Sequence, residues 1–213
     1  MRLPRGARSV PATPWSARSR WRARPSTIAV LLLGLWLFGT GEALLIEAGI
    51  GNSPWTVFAE GLGDQVGISI GAATFATSLA ILLSWPLLHE RPGLGTLANA
   101  VVVAVAIDVM RPVMPRPGPL GLEVVQVLAG IGAIGIGSGL YLTCNLGPGA
   151  RDGLMTALHR ILDQPVARIR MAIEVTAVAA GWALGGTVGA GTIMFALLIG
   201  WAVSMGLALA GSA

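Results

Sequence analysis

Glu42 stands inside an apolar run, between Gly41 and Ala43, with no arginine near it in sequence. An ionisable group in such a run is expensive. It takes up a proton, bonds across to another segment, or lies on a proton or cation path. A second group of candidates follows the break CNLGPGARDG (144–153), where Asn145 is followed by the adjacent charges Arg151 and Asp152. A helix starting near Gly149–Arg151 leaves N–H groups free, and its positive end can hold an anion, to which Arg151 adds a fork of donors. Asp152 argues against a plain anion site, because it can cap that helix or pair with Arg160. Arg170 and Glu174 are four residues apart and can pair on one helix face. Thr96, Asn99, Asn145 and Thr192 either complete a polar lining or each make one interhelical hydrogen bond. Glu47, Asp108 and Glu123 fall near the ends of apolar runs, where exposure to an interface accounts for them.

Other chemistries find little support. The single Cys144 excludes an intramolecular disulfide and any metal site built from several cysteines. His89 and His159 are predicted in loops, which argues against a Ser–His dyad. The stretch GIGSGL around Ser138 misses the G-x-S-G of intramembrane serine proteases by one position. No phosphate loop is present. The expectation is no enzyme, no metal and no cofactor.

The elements that must position these residues are set by the solvent. Of 213 residues, 54% are hydrophobic and 11% charged, with a mean hydropathy of +0.75, which points to a bilayer. A span needs about 20 apolar residues. Six stretches qualify, at about 27–47, 68–88, 95–114, 120–143, 166–186 and 190–211. Seven of the fourteen arginines lie in residues 2–24, a tail with no acid. Beside an apolar segment such a tail reads as a cytoplasmic anchor against anionic lipid and not as a nucleic-acid arm. With the tail inside, twelve arginines face the cytoplasm and two, Arg111 and Arg116, face out. The expected placement is therefore a bacterial inner membrane protein with six spans and both termini cytoplasmic.

The break has a counterpart. Shifted by 96 residues, GIGNSPWTVF (49–58) falls on NLGPGARDGL (145–154), GLGT (93–96) falls on GAGT (189–192), and Gly34, Gly39 and Gly41 fall on Gly130, Gly135 and Gly137. Positions 28–108 give 14 identities in 81, against roughly 8 expected from the composition. Each copy reads as span, break with a short amphipathic helix, span, G-x-G-T, span. Three spans is an odd number, so the second copy enters the bilayer inverted, as in many secondary transporters. The expected architecture is all-α: a disordered Arg-rich tail (1–26), repeat 1 (27–119) and repeat 2 (120–213). In the first short helix Ser53 is the expected cap and Pro54 the first helical residue. Trp15, Trp21 and Trp55 read as interfacial anchors. Gly135-x-x-x-Gly139 and Gly181-x-x-x-Gly185 allow close helix approach.

The stretch GPGARDGLMTALHRILDQPVARIRMAIEVTAVAAGWALGGTVGAGTIMFAL (147–197) resembles the signature of the bacterial YczE-like integral membrane proteins, in the YitT/YczE group. GNSPWTVF, GTLAN (95–99) and AID (106–108) in the first half are similar to that group's pattern. Thr56 stands where the pattern leads one to expect an acid after Pro-Trp. The resemblance implies a multi-spanning membrane protein and little about activity.

Two functions fit. One is a small-solute transporter or permease with a site between inverted repeats, taking a small molecule or ion. The alternative is a non-transporting scaffold or regulator that binds a protein partner, or itself as a homo-oligomer. The discriminator is geometric: a transporter needs a polar cavity between the repeats, and a scaffold can be packed solid.

Overall fold

The computed structural model describes residues 10–212. Its described residues form eight α-helices and no strand: α1 (Pro25–Ala48), α2 (Pro54–Val66), α3 (Ile70–Ser84), α4 (Leu94–Met110), α5 (Leu120–Thr143), α6 (Ala150–Leu162), α7 (Val166–Ala183) and α8 (Ala190–Gly211). A 3-10 turn at Arg111–Val113 prolongs α4. Proline opens α1 and α2, and Gly49 and Gly67 close them in the left-handed conformation, the usual division of labour between these residues at helix ends.

Four helices are long and apolar enough to cross a membrane: α1, α4 with its 3-10 extension, α5 and α8. Of the six expected spans, the second and fifth are the weaker ones. Helix α3 has 15 residues, about 22 Å at 1.5 Å per residue, against roughly 30 Å of hydrocarbon. It meets α2 at a bend of 109°, and the two together are apolar enough to count as one broken span. Helix α7 carries Arg168, Arg170 and Glu174 within 18 residues. Large apolar side chains such as Leu33, Trp182, Leu197 and Trp201 are exposed on the outer faces. Lipid accepts such a surface and water does not.

The centre of the bundle is α1 against α5, with α4 packed on α1 and α8 on α5. Glycines let the backbones meet. Gly34 faces Gly137 and Gly41 faces Gly130, so α1 and α5 run antiparallel. A Cβ at Gly41 would stand 2.6 Å from the Gly130 carbonyl oxygen, closer than atoms pack. Gly135 and Gly139 lie on Ala202 and Gly206, as the first small-residue motif predicts. The second divides: Gly181 packs on Val57 and Phe58, whereas Gly185 leaves the helix at φ 104° with open space where a side chain would stand.

The contacts follow the 96-residue offset. Gly39 meets Ala106 as Gly135 meets Ala202. The Gly95 amide donates to the Leu146 carbonyl at 2.8 Å, and the Gly191 amide donates to that of Ile50 at 2.8 Å. Each G-x-G-T segment therefore clips onto the break of the other half. Thr96 and Thr192 accept from the amides of Gly93 and Gly189, at 3.1 and 3.3 Å.

The expectation of a disordered tail is corrected over residues 13–22, while residues 1–9 lie outside the described residues. Trp15 Nε1 donates to Thr143 Oγ1 at 3.0 Å, and Ser16 Oγ to the Thr143 carbonyl at 2.7 Å. The Ala17 amide reaches the Cys144 carbonyl, Asn145 Nδ2 returns to the Ala17 carbonyl, and the Leu94 amide bonds the Arg20 carbonyl. Trp15 is thus tied into the fold and not an interfacial anchor alone. This docking obeys the same offset: Arg111, 96 positions after Trp15, donates through Nε to Glu47, 96 positions before Thr143, at 2.9 Å.

Candidate functional site

Beside the α1–α5 pair the helices part around a cavity of about 350 Å³. The N-terminal ends of α2 and α6 enter it, and its walls come from α1, α3, α4, α5, α7 and α8. Its lining repeats at the 96-residue offset: 42 with 138, 55 with 151, 74 with 170, 78 with 174, 99 with 195 and 103 with 199. The chemistry on the two sides differs. Positions 42 and 138 are Glu and Ser, 55 and 151 are Trp and Arg, and 74 and 170 are Thr and Arg.

Glu42 is 2% exposed. Ser53 Oγ donates to its carboxylate, at 2.9 Å to Oε2 and 3.1 Å to Oε1, and Thr56 Oγ1 donates to Oε2 at 2.8 Å. Of the outcomes foreseen for Glu42, a hydrogen bond across the fold is the one observed. Ser53 does sit at the N-cap position of α2, but its hydroxyl makes no cap bond. Its hydroxyl proton is instead directed at the Glu42 carboxylate, a charged acceptor and so a stronger one than a neutral oxygen. Thr56 explains the missing acid after Pro-Trp. An aspartate there would set a second carboxylate against Glu42, where threonine supplies a donor.

On the other side, the Arg151 guanidinium lies over the Trp55 ring, 4.9 Å from its centroid, within the range of a cation–π contact. Trp55 is therefore a cavity residue and not an interfacial anchor. Asp152 Oδ2 accepts from the Tyr141 hydroxyl at 3.0 Å. It neither caps α6 nor pairs with Arg160, which binds Glu90 at 2.9 Å. Arg170 Nε and Glu174 Oε1 pair at 2.9 Å, as their spacing predicts, and both line the cavity with Asn99.

Glu42, Asn99, Arg151, Asp152, Arg170 and Glu174 thus come together in one cavity. Three other candidates do not line it. Thr96 and Thr192 hold the G-x-G-T turns, Thr96 also donating to the Pro148 carbonyl at 2.7 Å, and Asn145 fastens the tail. Glu47, with Arg111 and Arg116 on its two oxygens, and Asp108, which accepts from Ser69 Oγ at 2.6 Å and the Gly71 amide at 2.9 Å, are paired groups and not merely exposed ends. His159 lies on α6 and not in a loop. Cys144 is fully buried, and burial pushes its thiol up to about 11, which makes it a poor nucleophile.

The site residues that sequence reasoning did not single out are Tyr141, Ser53 with Thr56 as ligands of Glu42, Thr74 and Ser78. Tyr141 is the chain's one tyrosine. The 96-residue offset carried a usable signal for Thr74 and Ser78, since it lays them on Arg170 and Glu174.

Comparison with known proteins places the chain among membrane proteins. It is 39% identical over 193 residues to an uncharacterized protein of Haemophilus influenzae, covering 91% of this chain and 88% of that one. It is 32% identical over 170 residues to the uncharacterized membrane protein YczE of Bacillus subtilis, covering 78% and 79%, which bears out the resemblance read from residues 147–197. A third relative, the uncharacterized protein YyaS of Bacillus subtilis, is 23% identical over 172 residues, covering 79% and 86%. No solved structure matches. Residues 25–206 match one family model, and the chain belongs to that family, the family of unknown function DUF6198.

Proposed function

We propose that this membrane protein is a small-solute transporter built from two inverted three-helix repeats, with its binding site in the cavity between them. The observation that carries this reading is the lining: matching positions of both halves converge on one cavity, whose largely apolar wall carries Glu42, Arg151, Asp152, Arg170 and Glu174. A scaffold has no need of such a space. Support for the inversion comes from α1 and α5, which cross antiparallel through Gly34, Gly41, Gly130 and Gly137, as a two-fold axis in the membrane plane requires. On this reading α3 and α7 are the second spans of their repeats. The broken α2 and α6 bring helix ends to the site, and irregular backbone is tolerated there because it lines a cavity. Both termini lie in the cytoplasm of a bacterial inner membrane, following the arginine bias. No reaction is assigned to the cavity, which offers binding groups and no activated nucleophile.

The test is uptake by sealed proteoliposomes across a panel of labelled amino acids, organic acids, amines, sugars and inorganic ions. Accumulation above empty vesicles that is lost in Glu42→Leu supports the reading. Uptake that stays flat across the panel sinks it.

A further inference from the structure

The substrate class follows from how the cavity's charges are left, and it rests on the transporter reading above. We propose that the cavity binds a small zwitterion, an ammonium carboxylate with an apolar side chain, its carboxylate on Arg151 and its ammonium on Asp152.

Arg151 has one face covered by Trp55 and makes no hydrogen bond or ion pair among the described residues. A guanidinium held by its face keeps its edge donors for a planar two-oxygen acceptor. The same cavity receives the start of α6, where Gly149 gives no side-chain cap and the first amides have no intrahelical partner. Both features favour a carboxylate.

The acid side is equally unfinished. Asp152 takes the Tyr141 hydroxyl on Oδ2, and its Oδ1 has no partner among the described residues. Arg151 and Asp152 share the cavity but make no direct ion pair, because consecutive residues on a helix point apart. Thr74, 3% exposed and on the cavity wall, has a hydroxyl with no partner among the described residues. A simple anion would meet Asp152 and Glu42, and a simple cation would meet Arg151. A solute carrying both charges satisfies each group and is favoured over either half. Phe38, Ile134, Phe195 and Ile199 supply an apolar wall for its side chain. A volume of about 350 Å³ lies at the small end of the roughly 300–1,000 Å³ typical of ligand pockets.

The experiment is a thermal-shift titration of the detergent-purified full chain with leucine, isopentylamine (leucine without its carboxylate) and 4-methylpentanoate (leucine without its ammonium). Glycine, valine and phenylalanine extend the series. The expected result is stabilisation by a zwitterion of the series at a concentration at least tenfold below that needed by either of leucine's halves. Arg151→Gln should abolish that preference over the amine, and Asp152→Asn the preference over the acid. Each variant is scored only if it elutes as the wild type does, and Arg151→Met replaces Arg151→Gln should the latter misfold. Equal stabilisation by a half, or no shift with any zwitterion of the series, overturns the proposal. Zwitterion binding without proteoliposome uptake overturns the transporter reading and leaves this site standing. Uptake of a singly charged solute with no zwitterion binding does the reverse.

Discussion

The bond from Thr56 to Glu42 lends itself to a quantitative test. Thr56→Val keeps the shape of the side chain and deletes a donor 2.8 Å from a carboxylate that is 2% exposed. Hydrogen bonds to charged groups contribute about 1.5–3 kcal/mol. At about 2–4 °C per kcal/mol for a chain of this length, the midpoint should fall by roughly 3–12 °C. Burial of a valine methyl in place of the hydroxyl is a competing effect, so the single variant does not isolate the bond. A double-mutant cycle with Glu42→Leu does. Without Glu42, the Thr56 hydroxyl keeps only Ser53, 3.0 Å away, and Thr56→Val should then be nearly neutral. The coupling, read from thermal or denaturant unfolding in a fixed detergent, should be about 1.5–3 kcal/mol by the same figure. If the two substitutions add to within about 0.5 kcal/mol, as independent sites do, the carboxylate is not held by Thr56 and the account of this site is wrong.

The remaining expectations are simpler. Gly41→Val drives a side chain into the Gly130 carbonyl and should lower stability by about 1–3 kcal/mol or more, seen as a lower midpoint and aggregation on size exclusion. Arg116 is 75% exposed in its bond to Glu47 and Arg111 is 31% exposed, so Arg111→Gln should destabilise more than Arg116→Gln, whose effect stays below about 1 kcal/mol. Cys144 should resist maleimide in the folded chain, and Trp15→Ala, which removes a bond to the neighbouring Thr143, should speed the labelling measured by mass. The Cys144 thiol loses its proton near 11 when folded, against about 9.0 ordinarily. Its contribution is complete below the ordinary value and fades as pH climbs toward 11, so Cys144→Ala should flatten the alkaline loss of stability in a pH series.

The start of α2 at Pro54 and the Arg170–Glu174 pair were legible because they depend on neighbours in sequence, whereas Glu47–Arg111 and Glu90–Arg160 join segments far apart and were not. Glu42, Arg151 and Asp152 stood out because a charge in apolar surroundings needs a reason. Roles set by distant segments were harder to read. Ser53 looked like a cap, since its competitor for that hydroxyl comes from another helix. Tyr141 sits in an apolar run and gains meaning only when α6 brings Asp152 beneath it. For Thr96 and Thr192 a polar lining and a single interhelical bond both stayed open, because the G-x-G-T turns and the breaks they clip are distant in sequence. The tail was read as disordered because acid-free arginine content suggested a loose anchor against anionic lipid, while Trp15, Ser16 and Ala17 supply the bonds that dock it.

Trp55 and Arg151 occupy matching positions of the two halves and touch each other. On the repeat reading, that position faces its own copy. In an assembly of two identical subunits, arginine there would oppose arginine and tryptophan would oppose tryptophan, so a cation lying on an aromatic face could form only by breaking the symmetry. Joining the halves in one polypeptide lets each be written differently. The cavity can then be polarised, with one end unlike the other, and a solute has a defined head and tail within it.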